Sequence, residues 1–351
     1  MNVIETHGLT KVYGGRRAVD ALEMSVAQGD IYGFVGKNGA GKSTTMKMFA
    51  DLVIPTSGEA VLFRGMPHEK RISAEHRSLR ELLSSEPSHI GALIETPGLV
   101  PGLSALENMM TKAISMGVVR ARTQCGELLD LVGLDAADGR RVKGYSMGMK
   151  QRLGVALALV GSPDLLLLDE PFNGMDPEAT RDLRGALARL NEERGVSMVI
   201  SSHVLDQLNR MATRFGVIRD GSMVKEFSTE QLHASCGSSI LVKTADPARA
   251  LVVLEERLPD ATIHVEPDQA IVISTAIHAQ TPGSYERGAI GRGDGRGVQT
   301  AAAASPGVEE VSRILHDADQ TVLELSRRER DIEDYFVELM GGTGPESRTK
   351  G

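Results

Sequence analysis

The sequence predicts an α/β fold, a mostly parallel sheet with helices between its strands, followed by a smaller α+β domain. Three observations predict it. Short β-like runs alternate with helix-like ones through the first half, glycine-rich turns separate them, and the pattern changes after Asp220-Gly221. Ile31–Val35 is the clearest early strand, and Glu59–Phe63 reads as another. Leu165–Leu168 is apolar at all four positions, as a strand covered on both faces should be, and Met198–Ser201 reads as a fourth strand. Residues from about 79 to 159 carry several helical patterns and little strand, which predicts an α-helical subdomain inserted between strands of one sheet.

From Ser239 the chain reads as strand Ile240–Lys243, helix Pro247–Arg257 with Asp246 as its N-cap, and strand Ala261–Val265. Pro267-Asp268 turns it into strand Ala270–Ser274, and helix Val308–Leu315, strand Thr321–Leu325 and helix Asp331–Met340 complete the series. The order β-α-β-β-α-β predicts a ferredoxin-like unit over 239–340. Residues 281–307 are rich in Gly, Ala, Ser and Arg and read as a flexible insertion, a surface loop in preference to a binding segment. Residues 341–351 read as a flexible tail.

At 351 residues the chain exceeds what one hydrophobic core usually serves, in keeping with two domains. Hydrophobic residues at 41% and charged residues at 25% exclude wholesale disorder. A net charge of −8 argues against nucleic acid or an anionic lipid surface as the main partner. Cys125 and Cys236 lie far apart with no CxxC or Cys/His cluster, so they read as free thiols in a reducing cytosol. No stretch approaches the roughly 18 apolar residues of a membrane-spanning helix, and Met1–Glu5 lacks a basic segment leading into an apolar one, so neither a membrane span nor secretion is expected.

The residues that carry chemistry begin where Ile31–Val35 runs into Gly36-Lys37-Asn38-Gly39-Ala40-Gly41-Lys42-Ser43, a full GxxxxGK[ST], with Thr44–Leu52 continuing as a helix. Glycines there let the backbone fold tightly enough to aim successive N–H groups at phosphate oxygens, and the helix adds its positive end. Lys42 is placed to reach the β- and γ-phosphates of ATP, and Ser43 to ligate Mg²⁺. A P-loop ATPase also needs carboxylates for the metal and the attacking water. Leu165-Leu166-Leu167-Leu168-Asp169-Glu170 supplies both at the carboxyl end of a buried strand, with Asp169 assigned to Mg²⁺ and Glu170 to general-base activation of water.

Tyr145-Ser146-Met147-Gly148-Met149-Lys150-Gln151-Arg152, ahead of a helical run ending near Val160, completes a set that resembles the ATP-binding subunits of ABC transporters over roughly Met1–Lys225. The resemblance implies an ABC-type nucleotide-binding domain at 1–225, with Gly36–Thr44 wrapping the phosphates. It also implies that Ser146 and Gly148 of a signature loop bind the γ-phosphate held by a second copy. Tyr145, Met147 and Met149 depart from the family's Leu-Ser-Gly-Gly-Gln, and Ser146 reads equally as an ordinary helix cap. Tyr13 falls where the family stacks an aromatic on adenine, with strand packing as the competing reading. Asp176 matches the aspartate that couples the two copies, or simply caps the helix starting at Pro177. His203 matches the switch histidine that contacts the γ-phosphate, against a histidine that merely serves structure at a strand end.

Glu95, in Ile90-Gly91-Ala92-Leu93-Ile94-Glu95-Thr96-Pro97, stands where the family usually has a glutamine touching the metal and the permease. A carboxylate remains a hard ligand for Mg²⁺ but adds negative charge, and a loop acid touching neither is the alternative. This segment and the signature run resemble the subgroup serving bacitracin and lantibiotic export or self-immunity. The resemblance implies an ATPase that dimerises on ATP and powers export through separate permease subunits docked near Glu95–Ala105, cytoplasmic and peripheral to the inner face of the membrane. The competing readings are an ATP-driven clamp on a macromolecule and a nucleotide-sensing regulatory ATPase.

Overall fold

Buried apolar residues anchor the first elements. β1 (Asn2–Tyr13) and β2 (Arg16–Ala27) carry core residues such as Ile4, Leu9, Val19 and Leu22, and shifts of register along the pair interrupt the strict alternation of a strand. The two form an antiparallel hairpin closed by Gly14-Gly15, both at positive φ. The computed structural model describes residues 1–75, 89–235, 238–259, 261–275, 307–329 and 332–341. Positions 79–88, Cys236, nearly all of the expected insertion 281–307 and the expected tail from residue 342 lie outside the described residues.

β3 (Ile31–Val35) is buried at all five positions and feeds α1 (Lys42–Phe49), whose Met46, Met48 and Phe49 are fully buried. β4 (Ser57–Leu62) and β5 (Lys70–Ser73) extend the hairpin into a four-stranded sheet of order β2-β1-β4-β5. β6 (Ile90–Leu93) precedes α2 (Ala105–Ser115), α3 (Ala121–Leu131) and α4 (Met147–Leu159). The rest of the first unit is β7 (Leu165–Asp169), α5 (Pro177–Arg194), β8 (Ser197–Ser202), α6 (Leu205–Asn209), β9 (Arg214–Arg219) and β10 (Ser222–Ser228).

The central sheet has the order β10-β9-β3-β8-β7-β6, parallel except for β10 at its edge. β7 and β8 are buried along their whole length, as the unbroken apolar run of β7 requires. α1 lies within a core shared by both sheets, with Leu9 and Leu22 from one and Phe34, Leu165 and Leu167 from the other.

The helical span expected from about 79 to 159 needs correction, because β6 lies inside it and pairs with β7 in the central sheet. Its four residues include a glycine and carry no strand pattern. Gly91 is there because α4 packs directly on it: a Cβ would stand 2.1 Å from Ala158 O. Among the described residues the α-helices of this span are α2–α4, and Ser104 and Glu107 form a capping box that starts α2.

The chain divides into two units, Met1–Thr229 with the chain from Phe336, and Glu230–Tyr335. α7 (Thr229–Ser235) starts the second, followed by β11 (Ser238–Thr244), α8 (Pro247–Arg257), β12 (Ala261–Val265), β13 (Ile271–Thr275), α9 (Val308–Asp317) and β14 (Val322–Glu329). Its antiparallel sheet has the order β12-β13-β11-β14, that of a ferredoxin-like unit, and Ile240, Val242, Ala250, Leu254, Ile271 and Val311 fill its core. Asp246 caps α8 by accepting from Arg249 N. α10 (Ile332–Leu339) differs from the sequence expectation, which carries the second domain to residue 340. Phe336 packs on Phe215 and Phe227 of the first unit, with ring centroids 5.7 and 5.4 Å away, and Arg219 Nη1 donates to Leu339 O.

Candidate functional site

The carboxyl ends of β3, β7 and β8 bring the chemistry together. After β3 the chain turns through Gly36–Gly41. A Cβ on Gly36 would lie 2.5 Å from Ile218 O, and one on Gly41, at φ +111, 2.5 Å from Ala18 O, so neither position accepts a side chain. No side chain caps α1. Its first-turn amides thus remain available to an anion, the property that suits this loop to phosphates. The Lys42 side chain is 6% exposed, and its Nζ donates to Gly36 O at 2.6 Å and Lys37 O at 3.3 Å. Burial pushes the Lys42 ammonium down, opposed by the charges of Glu170 and Asp169.

Asp169 ends β7, and its Oδ1 accepts from Ser201 Oγ at 2.5 Å. Glu170 follows in the left-handed region at φ +50, a strained setting for a glutamate. Its backbone is over-determined. Glu170 N donates to Ser201 O and Oγ at 3.2 and 3.0 Å, and Gln151 Nε2 donates to Glu170 O at 3.1 Å. One carboxylate oxygen, Oε2, bonds His203 Nδ1 at 2.8 Å. The other, Oε1, is buried without a hydrogen-bond partner and lies 3.8 Å from Lys42 Nζ. Lys42, Asp169, Glu170 and His203 are therefore gathered in one place. The sequence reading places Ser201 in a strand and Gln151 in the signature run but gives neither its part in holding Glu170. Ser201 sits inside the strand already read as Met198–Ser201, in register with Asp169, and only the pairing of β7 with β8 reveals its role.

Ser146 caps α4 by accepting from Met149 N at 3.2 Å, and Asp176 caps α5 by accepting from Ala179 N at 2.8 Å. The Ala179 N–H holds the Asp176 carboxyl below its usual range. The two loops touch: a Cβ on Gly148 would stand 3.2 Å from Gly174 O. Ser146 and Met147 are exposed there. Tyr13, beside the turn that closes the hairpin, is 47% exposed with Lys11 Nζ 5.0 Å from its ring centre. Glu95 lines a cleft of about 480 Å³ together with Pro97, Met147, Gln151, Asp169 and Glu170. Its carboxylate is held by Lys47 Nζ from α1, which balances the charge that a glutamate adds at this position.

Residues 19–173 match the family described as ABC transporter. The chain is 35% identical, over 97% of each chain, to the uncharacterized ABC transporter ATP-binding protein YcbN of Bacillus subtilis (strain 168). It is 32% identical to the bacitracin transport ATP-binding protein BcrA of Bacillus licheniformis, over 97% of this chain and 98% of that one. Among solved structures, a bacterial ABC transporter cassette described as dimeric, MJ0796, superposes with a TM-score of 0.58 at 26% identity, covering 64% of this chain and 98% of that one.

Proposed function

The chain belongs to the ABC transporter family as an ATP-binding subunit, and we propose on that premise that it hydrolyses ATP to drive export of a peptide antibiotic or a similar amphipathic compound through separate permease subunits. One observation carries the catalytic part: Glu170 is fixed by Ser201, Gln151 and His203 while its Oε1, buried and unpaired, faces Lys42. A carboxylate so held has a free acceptor for the proton of an attacking water, the task of a general base. His203 orients it. Lys42, folded onto the loop carbonyls, is poised to exchange them for the β- and γ-phosphates. Tyr13 offers its exposed ring to adenine.

The donors present suit Mg²⁺: the Ser43 hydroxyl at the start of α1 and the Asp169 carboxylate at the end of β7 are hard oxygens. When bound, the ion would neutralise phosphate charge. Glu95 joins that set only by releasing Lys47, so its first role is to link the cleft to a partner.

Two copies are proposed to close on two ATP molecules, each P-loop facing the Ser146/Gly148 loop of the other. The outward position of that loop and its contact with Gly174-Met175 support this reading. Asp176 couples the copies while capping α5. No helix among the described residues is long and apolar enough to cross a membrane, so the transport path is assigned to permeases docked by the Glu95–Ala105 segment. The cargo class follows from the likeness to BcrA.

The test is Mg²⁺-ATPase activity of the purified chain beside Lys42→Ala and Glu170→Gln, with tagged chain recovered from its host and bacitracin sensitivity of a deletion strain. Loss of hydrolysis in both variants, a co-purifying permease and raised sensitivity are expected. Recovery with ribosomal or chromosomal material instead would contradict the transport reading.

A further inference from the structure

A second cluster of metal-ligating side chains lies at the opposite end of the parallel strands. His89 immediately precedes β6 and Asp164 immediately precedes β7, and the two backbones are tied, with Asp164 N and Leu165 N donating to His89 O at 2.9 and 3.1 Å. His68 arrives from the link between β4 and β5. Its ring stacks on that of His89, centroids 3.7 Å apart and planes 10° from parallel, and Phe63 stands edge-on to both. Asp164 Oδ2 lies 2.6 Å from His89 Nδ1 and 3.8 Å from His68 Nε2, and the three atoms fall within 4.8 Å of one another. This cluster is not part of the nucleotide site. The five residues of β7 place Asp164 and Asp169 about 16 Å apart.

His68 Nε2 is buried and makes no hydrogen bond, a costly state for an imidazole nitrogen. Asp164 Oδ2, already bonded by His89, lies 3.8 Å from it, too far for a hydrogen bond. Stacked as they are, the two rings aim their in-plane lone pairs along nearly parallel planes, so one ring must turn for both to reach one ion, which would then satisfy all three groups at once. Donors about 2.0–2.1 Å from a tetrahedral Zn²⁺ stand about 3.3 Å from one another, so binding would draw Asp164 away from His89, at 2.6 Å, and towards His68, at 3.8 Å. Asp164 is 55% exposed and His89 37%, so solvent reaches the cluster and can fill a fourth position. Two imidazoles with one carboxylate favour a first-row transition ion over Mg²⁺, which demands oxygen ligands.

We propose that His68, His89 and Asp164 bind one divalent first-row transition ion, with Zn²⁺ the best match, which clips the β4–β5 link to the starts of β6 and β7. The clip joins positions distant in sequence, so its loading stabilises the first unit without touching the nucleotide. The inference is independent of the transport reading.

The experiment titrates the metal-stripped, nucleotide-free full chain with Zn²⁺ by calorimetry and with Co²⁺ by its visible ligand-field absorption. One ion per chain is expected, with a rise in melting temperature, and affinity at least about tenfold weaker in His68→Gln and Asp164→Asn. ATP hydrolysis in those variants should equal wild type. A second measurement needs no variant: Zn²⁺ should protect His68 and His89 of the wild-type chain from diethylpyrocarbonate, read by mass spectrometry. Absent binding, equal binding by wild type and variants, or modification unchanged by Zn²⁺ would each overturn the proposal.

Discussion

Glu170 shows how a single residue can be paid for by its neighbours. Its positive φ is unfavourable alone, yet Ser201 and Gln151 bond its backbone from two sides and His203 holds one carboxylate oxygen. Glu170→Gln removes the proposed proton acceptor and keeps the shape, so hydrolysis should fall by about 10²- to 10⁴-fold while ATP binding persists. Ser201→Ala deletes a donor to Asp169 and an acceptor for Glu170 N. Steady-state assays should show lower turnover and a higher Mg²⁺ requirement with near-normal nucleotide affinity. Asp176 has a carboxyl held low by Ala179 N–H, so it contributes stability that is present above its unfolded value of about 3.9 and lost as pH falls through the lower folded value. Acid unfolding curves of Asp176→Asn should therefore be flatter than wild type below that value.

Elements differ in how far their residues announce them. β7 is apolar at its first four positions and reads as a covered strand, α8 carries Asp246 before Pro247, and the P-loop follows a five-residue buried strand. β6 was not legible, because four residues with a central glycine lack any period and the strand exists through pairing with β7 and packing under α4. The site divides in the same way. Lys42, Asp169 and Glu170 sit in short contiguous motifs, whereas Ser201, Gln151 and Lys47 act through contacts between distant elements that no local pattern encodes. Gly91→Ala would drive a methyl against Ala158 O and should destabilise the first unit by about 2 kcal/mol or more, read as a lower unfolding midpoint in urea. Ser104→Ala opens the capping box of α2 and should cost about 1 kcal/mol in the same measurement.

The whole molecule joins a nucleotide-binding unit to a ferredoxin-like one, and Phe336 returns the chain to the first unit after the second is complete. The chain carries a net charge of −8, and no helix among its described residues is long and apolar enough to cross a membrane. On the reading proposed above, the chain supplies an ATP-gated closure between two copies. Each phosphate then bridges both chains, so ATP stabilises the dimer in proportion to its binding free energy. The most direct measurement is the mass in solution of Glu170→Gln with ATP and Mg²⁺, by light scattering, beside the same variant carrying Ser146→Arg. The account predicts a dimer for Glu170→Gln that ADP does not support and that Ser146→Arg abolishes while ATP binding survives; a chain that binds ATP yet stays monomeric, or a dimer indifferent to both nucleotide and Ser146, would contradict it.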